Sequence, residues 1–291
     1  MRYSTTAFVA GFAVAAAIAL GAQPAAANHP VLVEGNNATD AGPGATAAPP
    51  GAAGDYDGDG NVGVAEDTDN TTDRIFGTIG AALLAANGGA NANGHVIIVG
   101  SGRFPEQIAI PNVAGGQAAL NGVTILEAAP GVQANIDAVL QGDAGNATRQ
   151  AGTGITINTQ DTDRVVILRN IAVRNFQTGL SVTGNARVVC EDCRFDSNVG
   201  ANVSVGGNAK LTLVDCEIRA GGMRFNPGKA SPNPGDGVVF TGSASGVISD
   251  CSISGNTAAG VRNGSTATIQ ILDSNVFDNT PNLIGKIIKT D

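Results

Sequence analysis

Short runs of alternating apolar and polar residues recur through the second half of the chain and align with one another. Five of these runs share an Asn or Asp at one fixed position: Asn170, Asp192, Asp215, Asp250 and Asp273. These anchors are 22, 23, 35 and 23 residues apart. Such a period is typical of one rung of a solenoid, and the longer interval is one rung plus a loop of roughly 12 residues.

Apolar residues fall into columns when the runs are stacked on their anchors. The columns are Val166, Val188, Leu211, Gly246 and Ile269; Leu168, Cys190, Leu213, Ile248 and Ile271; Ile171, Cys193, Cys216, Cys251 and Ser274; and Val173, Phe195, Ile218, Ile253 and Val276. Parallel strands stack about 4.8 Å apart, so like residues pile on like residues and fill an interior. We therefore predict an all-β fold, a right-handed parallel β-helix (solenoid) with rungs of 22–23 residues. Asn198, Asn256 and Asn279, six residues after their anchors, predict an asparagine ladder inside a turn.

The chain before these repeats predicts a succession of different segments. Residues 1–27 have the basic start, apolar run and Ala-rich end of a secretory signal peptide. Residues 28–54 are rich in Ala, Gly and Pro and predict a flexible leader, and residues 55–73 form an acidic segment. The spacing in residues 75–87 predicts a short helix that opens a β-helix domain over residues 74–291. We expect a secreted, periplasmic or cell-surface protein, with no membrane insertion after signal cleavage.

The charge balance narrows the range of partners. The chain has 16 basic and 25 acidic residues and a formal net charge of −9. An acidic chain without a basic run argues against nucleic acid as a partner. Strand edges exposed at the ends of a coil favour edge pairing, so self-association is a further expectation.

Four cysteines lie within the repeats, at positions 190, 193, 216 and 251. The CxxC spacing of Cys190 and Cys193 is found in redox and zinc sites. Their places in the apolar columns favour buried thiols that act as small hydrophobes. The alternative is a disulfide between neighbouring rungs, such as Cys193–Cys216, because the spacing of stacked strands permits it.

Three stretches together resemble the opening of right-handed β-helix proteins of the pectin-lyase-like superfamily. They are FGTIGAALLAAN (76–87), HVIIVGSGRFPEQIAI (95–110) and NGVTILEAAPGVQANIDA (121–138), and the later DCRFDSN, DCSISGN and DSNVFDN resemble the general β-helix repeat. The resemblance implies that the helix caps the coil. It does not indicate one activity, since this superfamily contains lyases, hydrolases, esterases, epimerases and proteins without enzymatic activity. The motifs of its pectinesterases, polygalacturonases and epimerases are absent from the sequence.

The acidic segment contains a calcium-loop motif. In DYDGDGNVGVAE (55–66), Asp55, Asp57, Asp59, Asn61 and Glu66 occupy the positions of oxygen ligands. The loop resembles those of EF-hand and dockerin proteins, although no helix is predicted before it. We therefore predict calcium as a cofactor, with the role of ordering the leader on the coil. The alternative is a solvated acidic linker.

Charged residues form two outward rows beside the fourth apolar column. The rows are Ala172, Arg194, Glu217, Ser252 and Asn275, and Arg174, Asp196, Arg219, Ser254 and Phe277. The inserted loop, residues 221–236, follows Arg219 directly and carries Arg224 and Lys229. Arginines can bind an acidic sugar, and an Arg or Lys can serve as the base of a lyase. The candidate catalytic residues are Arg194, Glu217, Arg219, Arg224 and Lys229; the alternative is a ladder of cross-strand ion pairs.

Two functions remain for the predicted fold. Missing catalytic motifs and regular rungs favour an exported, non-enzymatic protein that binds polysaccharide or has a structural role at the cell surface or in a matrix. The basic loop and the predicted calcium favour the alternative, a polysaccharide lyase or another carbohydrate-active enzyme acting on an acidic polysaccharide.

Overall fold

The computed structural model describes residues 31–33, 75–76, 78–87, 94–99, 102–110, 122–137, 152–222 and 235–290. This part of the chain contains one helix, α1 (Ile79–Asn87), and many short strands. The strands are β1 (Val31–Val33), β2 (Ile75–Phe76), β3 (His95–Ile98), β4 (Gly102–Phe104), β5 (Ile108–Ile110), β6 (Val123–Ala128), β7 (Ala134–Asp137), β8 (Thr153–Thr159), β9 (Val165–Arg169), β10 (Ile171–Arg174), β11 (Thr178–Gly184), β12 (Arg187–Glu191), β13 (Arg194–Asp196), β14 (Val203–Val205), β15 (Lys210–Val214), β16 (Glu217–Arg219), β17 (Val238–Phe240), β18 (Ser245–Ser249), β19 (Ser252–Ser254), β20 (Val261–Asn263), β21 (Ile269–Leu272), β22 (Asn275–Phe277), β23 (Leu283–Gly285) and β24 (Ile287–Thr290).

These strands form three parallel sheets that the chain visits in turn. Sheet 1 has the order β2-β1-β3-β6-β9-β12-β15-β18-β21-β24. Sheet 2 has the order β22-β19-β16-β13-β10-β7-β4, and sheet 3 the order β23-β20-β17-β14-β11-β8-β5. Each strand therefore pairs with the strand one full turn away along the chain. The predicted parallel β-helix is confirmed.

The stacking register agrees with the columns predicted from the repeats. Val188 pairs with Val166 on one side and with Leu211 on the other, and Phe195 pairs with Val173 and Ile218. These side chains are buried in one continuous core. The anchors lie at the corner between sheets 1 and 2 with positive φ, from 45° at Asp273 to 56° at Asp250. Asn and Asp tolerate this left-handed conformation better than most residues, which explains the repeated anchor.

The predicted asparagine ladder is present at the corner between sheets 2 and 3. The Nδ2 of Asn256 donates to Oδ1 of Asn279 at 2.7 Å, and its Oδ1 accepts from Nδ2 of Asn202 at 3.0 Å. Asn202 in turn accepts from Nδ2 of Asn198 at 2.7 Å. Asn202 was not part of the prediction; it bridges Asn198 and Asn256 across the intervening rung, where Gly221 occupies the ladder position.

All four cysteines are buried free thiols, as the column argument favoured. The column of Cys193, Cys216, Cys251 and Ser274 also supplies hydrogen-bond acceptors at the corner where the strand ladder is interrupted. The N–H of Cys216 donates to Sγ of Cys251 at 3.4 Å, and the N–H of Cys251 donates to Oγ of Ser274 at 3.0 Å. A Ser in this column therefore accepts a backbone N–H hydrogen bond just as a Cys does.

We expect the thiols of the folded protein to resist alkylation. Burial raises the pKa of Cys190 and of Cys193, and contact with the Cys193 thiol raises the pKa of Cys216 to about 12. The reactive thiolate is thus scarce at pH 8. Mass spectrometry after iodoacetamide treatment is expected to show no adducts on the native protein and four on the protein in guanidinium chloride. Fewer than four adducts on the unfolded, unreduced protein would indicate a disulfide.

Helix α1 begins later than the sequence predicts. The predicted start at Ile75 is wrong, because Ile75–Phe76 form strand β2 beside β1. The helix begins at Ile79, where Thr78 Oγ1 accepts from the N–H of Ala81 at 3.3 Å. Both carboxylate oxygens of Glu106 accept N–H groups from the first turn, at 2.9 Å each. These contacts satisfy donors that an N-terminus otherwise leaves free.

The helix covers the N-terminal end of the core, as the capping prediction requires. Ile79 and Leu83 are buried against the first rungs. At its other end, buried Arg164 donates through Nη2 to Oδ1 of Asn87 at 2.7 Å and to Oγ1 of Thr124 at 2.9 Å. Burial lowers the pKa of Arg164. No helix within the described ranges is long and apolar enough to cross a membrane.

One part of the predicted flexible leader does not fit that description. Val31–Val33 form β1, a buried strand that lies between β2 and β3 in sheet 1. The three consecutive β-branched and aliphatic residues suit a strand buried on both faces. The signal peptide, the rest of the leader and the calcium loop with Asp55, Asp57, Asp59, Asn61 and Glu66 lie outside the described residues.

Candidate functional site

The outer surface of sheet 2 carries the two charged rows predicted from the sequence. Arg194 pairs with Ala172 and Glu217 in one row, and Asp196 pairs with Arg174 and Arg219 in the other. The first row continues backwards through Asn135 to Arg103, and the second through Asp137. We call this surface the arginine face, defined by Arg103, Asp137, Arg174, Arg194, Asp196, Glu217 and Arg219.

Asp137 organises the N-terminal half of the arginine face. Its side chain is fully buried, with 0% exposure, while those of Arg103 and Arg174 are 38% and 35% exposed. Its Oδ2 contacts Nη2 of Arg103 at 2.9 Å and Nε of Arg174 at 3.1 Å. Its Oδ1 accepts from Nδ2 of Asn175 at 2.8 Å. One buried carboxylate therefore fixes two partly exposed guanidinium groups.

Three candidate residues from the sequence come together in the C-terminal half of this face. Glu217 lies between two arginines, with Oε2 3.3 Å from Nε of Arg194 and Oε1 3.2 Å from Nη1 of Arg219. Arg194 also forms an ion pair with the buried carboxylate of Asp196. The predicted ladder of cross-strand ion pairs is thus present. Arg224 and Lys229 lie outside the described residues.

Sequence reasoning missed Arg103 and Asp137, because the aligned repeats began only at residue 165. The signal was nevertheless in the chain. The segment Ala134–Asp137 aligns with Ile171–Arg174, which places Ile136 in the apolar column of Val173 and Asp137 in the charged row of Arg174. An alignment extended one rung backwards would have found Asp137, and a second rung would have found Arg103.

A second ion-pair cluster lies on the outer face of sheet 1. Nε2 of His95 is 2.7 Å from Oε1 of Glu127, and Arg169 contacts Glu127 at 3.5 Å and Glu191 at 2.5 Å. The hydrogen bond from His95 lowers the pKa of Glu127, against the opposing effect of burial. Burial acts to lower the pKa of Arg169, but its hydrogen bond to Glu191 raises it overall. These contacts favour the charged forms of Glu127 and Arg169.

A single bidentate pair follows the inserted loop on sheet 3. Asp236 accepts from Nε of Arg262 at 3.0 Å and from its Nη2 at 2.9 Å. This hydrogen bonding raises the pKa of Arg262. Asp236 also accepts from the N–H of Ala259 at 2.9 Å, so it fixes the point where the loop rejoins the coil.

The described ranges contain no group of three or more His, Cys, Asp or Glu side chains arranged to hold a metal ion. The predicted calcium ligands fall outside these ranges, and calcium binding stays a prediction.

Comparison with known proteins agrees with the three-sheet coil. Residues 153–285 match the family model described as a right-handed β-helix region. The chain is a right-handed parallel β-helix. No curated protein and no solved structure matches it. The matched residues include β8 to β23, and therefore the whole C-terminal half of the arginine face.

The arginine face can bind anions more readily than it can catalyse proton transfer. Its four arginines outnumber its three carboxylates by one positive charge, in a chain whose net charge is −9. Guanidinium groups bind carboxylates through two parallel hydrogen bonds. They do not lose their proton in proteins under ordinary conditions. The carboxylates of this face are all engaged with arginines, so none is placed as a free general base.

Proposed function

We propose that this protein is exported and binds an acidic polysaccharide along the arginine face without cleaving it. The observation that carries the proposal is a set of four partly exposed arginines, in two adjacent rows, that carboxylates of neighbouring rungs hold in place. The polymer carboxylates would occupy guanidinium donors that point to solvent. Binding of this kind serves an attachment or structural role at the cell surface or in a matrix.

The spacing of the arginines supports a polymeric rather than a small ligand. The four arginines lie on four strands of sheet 2: Arg103 on β4, Arg174 on β10, Arg194 on β13 and Arg219 on β16. In this sheet β10, β13 and β16 are direct neighbours, and β7 lies between β4 and β10. With about 4.8 Å between strands, the four arginines together extend over roughly 19 Å along the coil axis. A polymer with regularly repeated carboxylates can contact several of these arginines at once. Such multivalent contact raises the affinity above that of any single ion pair.

The ion pairs within the face argue against the lyase alternative. Elimination needs a base that can take a proton from the sugar ring, at hydrogen-bond distance. Arg194 and Arg219 both contact Glu217, and a guanidinium group is in general a poor base because it holds its proton. The lyase alternative would therefore depend on Arg224 and Lys229 of the inserted loop.

The test is affinity electrophoresis in gels that contain polygalacturonate, alginate or neutral dextran. We expect the acidic polymers alone to retard the protein, with a retardation that falls as salt rises, because the contacts are ionic. The variant Arg174→Gln/Arg219→Gln is expected to lose at least about tenfold in affinity, as two charged contacts are removed. A matched control is Arg187→Gln, which changes an exposed arginine on sheet 1.

Two results would overturn this proposal. Equal retardation of the control and the double variant would remove the arginine face as the site. Protein-dependent appearance of unsaturated sugar ends from the same polymers would establish the lyase alternative, and Arg224→Gln/Lys229→Gln would then show whether the inserted loop carries that activity.

A further inference from the structure

The two ends of the coil differ in how well they cover the core. At the N-terminal end, α1 and β1 bury the first rungs. At the C-terminal end, β22, β23 and β24 are the outermost strands of their sheets. Their apolar inward residues Val276, Leu283 and Ile287 pack on the core but are only partly buried, and the inward position that stacks on Ile271 holds the exposed Lys289. In the part of the chain that the structure describes, no element covers this last rung, which leaves three strand edges open to pairing.

Exposed apolar side chains concentrate on the same rung. Three large hydrophobic residues are exposed among the described residues: Leu84, Phe277 at 43% and Ile288 at 55%. Phe277 ends β22 and Ile288 lies in β24, so two of the three belong to this open end. Two exposed charges flank them, Asp278 directly after β22 and Lys286 directly before β24.

The shape of this end restricts what can dock on it. The last turn forms a spiral ramp that rises from β22 through β23 to β24, with a step at the corner where Thr290 lies above Asp273. A second copy can be placed so that its ramp lies at the same distance from the first ramp all the way round the coil. This requires a two-fold axis that is perpendicular to the coil axis and passes through the steps of both copies. That axis places sheet 1 of one copy on sheet 2 of the other, and sheet 3 on sheet 3. Strands then meet in antiparallel pairs, β24 with β22 and β23 with β23.

We propose that the C-terminal end of the coil binds the same end of a second copy of this chain in a two-fold symmetric dimer. The strands that meet have similar lengths, four residues in β24 against three in β22, and three in each β23. In the proposed register, Ile288 lies across from Phe277 of the second copy, and Lys289, which stacks on Ile271, lies across from Val276 of that copy. This register also places Lys286 beside Asp278 of the second copy. Because the interface is isologous, each contact occurs twice.

Head-to-tail stacking does not offer the same complementarity. The N-terminal end presents α1, whose buried side chains already cover the core, and this helix would separate the strand edges of the two copies. A C-terminal end meeting its own copy is the arrangement in which all three open edges find partners. It also closes the assembly at two copies, because no further end of this kind remains.

The test uses the full chain in sedimentation velocity over a range of protein concentrations. We expect a dimer that dissociates on dilution. Lys286→Glu and Asp278→Lys each place like charges together twice and are expected to weaken dimerisation at least about tenfold. In an equimolar mixture of the two variants, every contact of the heterodimer joins opposite charges. The mixture is therefore expected to regain the dimer that each variant alone has lost.

The control is Lys210→Glu, an equivalent charge reversal at an exposed position on the side of sheet 1. Circular dichroism of each variant shows that the coil is folded. A wild-type chain that stays monomeric up to about 100 μM would overturn the proposal, as would a dimer unaffected by both charge reversals. A second pair of substitutions, Phe277→Ser and Ile288→Thr, removes the apolar contact alone, and a dimer that persists in this double variant would equally contradict it.

Discussion

Asn256→Ala is expected to destabilise the coil by about 3 kcal/mol, one of the largest effects of a single substitution here. The substitution removes the acceptor of the Gly221 N–H, which is bound at 2.8 Å, and breaks the bonds to Asn202 and Asn279. Asn256 is buried, so water cannot replace these partners without opening the corner between sheets 2 and 3. The measurement is the free energy of unfolding from urea denaturation, followed by circular dichroism.

The chain contains a matched control for this prediction. Asn208 also stacks on an asparagine one rung away, with Nδ2 3.1 Å from Oδ1 of Asn185, but that pair lies at the surface. Asn208→Ala is expected to change the free energy of unfolding by less than about 0.5 kcal/mol. If both variants lose the same free energy of unfolding, burial does not explain how much the asparagine ladder contributes to stability.

The repeat made most of the fold predictable from the sequence. Stacking the anchors placed Val166, Val188 and Leu211 in one column, and the observed register is the same. This worked because a solenoid converts a long-range contact into a fixed spacing along the chain. The asparagine ladder followed from the same spacing, whereas Asn202 did not, since it lies only four residues from Asn198.

Gly246 shows where column reasoning reaches its limit. It occupies a column otherwise filled by Val, Leu and Ile, and the sequence gives no reason for the gap. In the structure, a Cβ at this position would lie 2.7 Å from two ring carbons of Phe240 and 2.9 Å from the carbonyl oxygen of Leu211. The space is filled from sheet 3, so the compensating residue lies on a different strand of the rung and outside the column.

The N-terminal rungs were harder to predict because they lack the repeated anchor. Ile75–Phe76 have the apolar character of a helix face and of a strand alike, and pairing with Val31–Val33 makes them a strand. That contact joins residues far apart in sequence, which a local pattern cannot reveal. The candidate site shared this limit: its C-terminal arginines followed from the repeat, and Arg103 and Asp137 did not.

Asp137→Ala is expected to have the other large effect, lowering the free energy of unfolding by about 2–3 kcal/mol. The fully buried carboxylate contacts Arg103, Arg174 and Asn175, and its removal leaves the two guanidinium groups without their shared counter-charge. Urea denaturation at pH 7 measures the loss. Asp163→Ala, at an exposed position, is the control and is expected to change stability by less than about 0.5 kcal/mol.

The same variant separates the structural role of this ion-pair cluster from its proposed role in binding. Without Asp137, the arginine face gains one unit of positive charge and frees donors on Arg103 and Arg174. Under conditions in which the variant remains folded, we therefore expect Asp137→Ala to bind polygalacturonate more tightly than the wild type, although it is less stable. Reduced stability with unchanged affinity would mean that Asp137 and its arginines only hold neighbouring rungs together, and that the polymer contacts are made elsewhere on the protein.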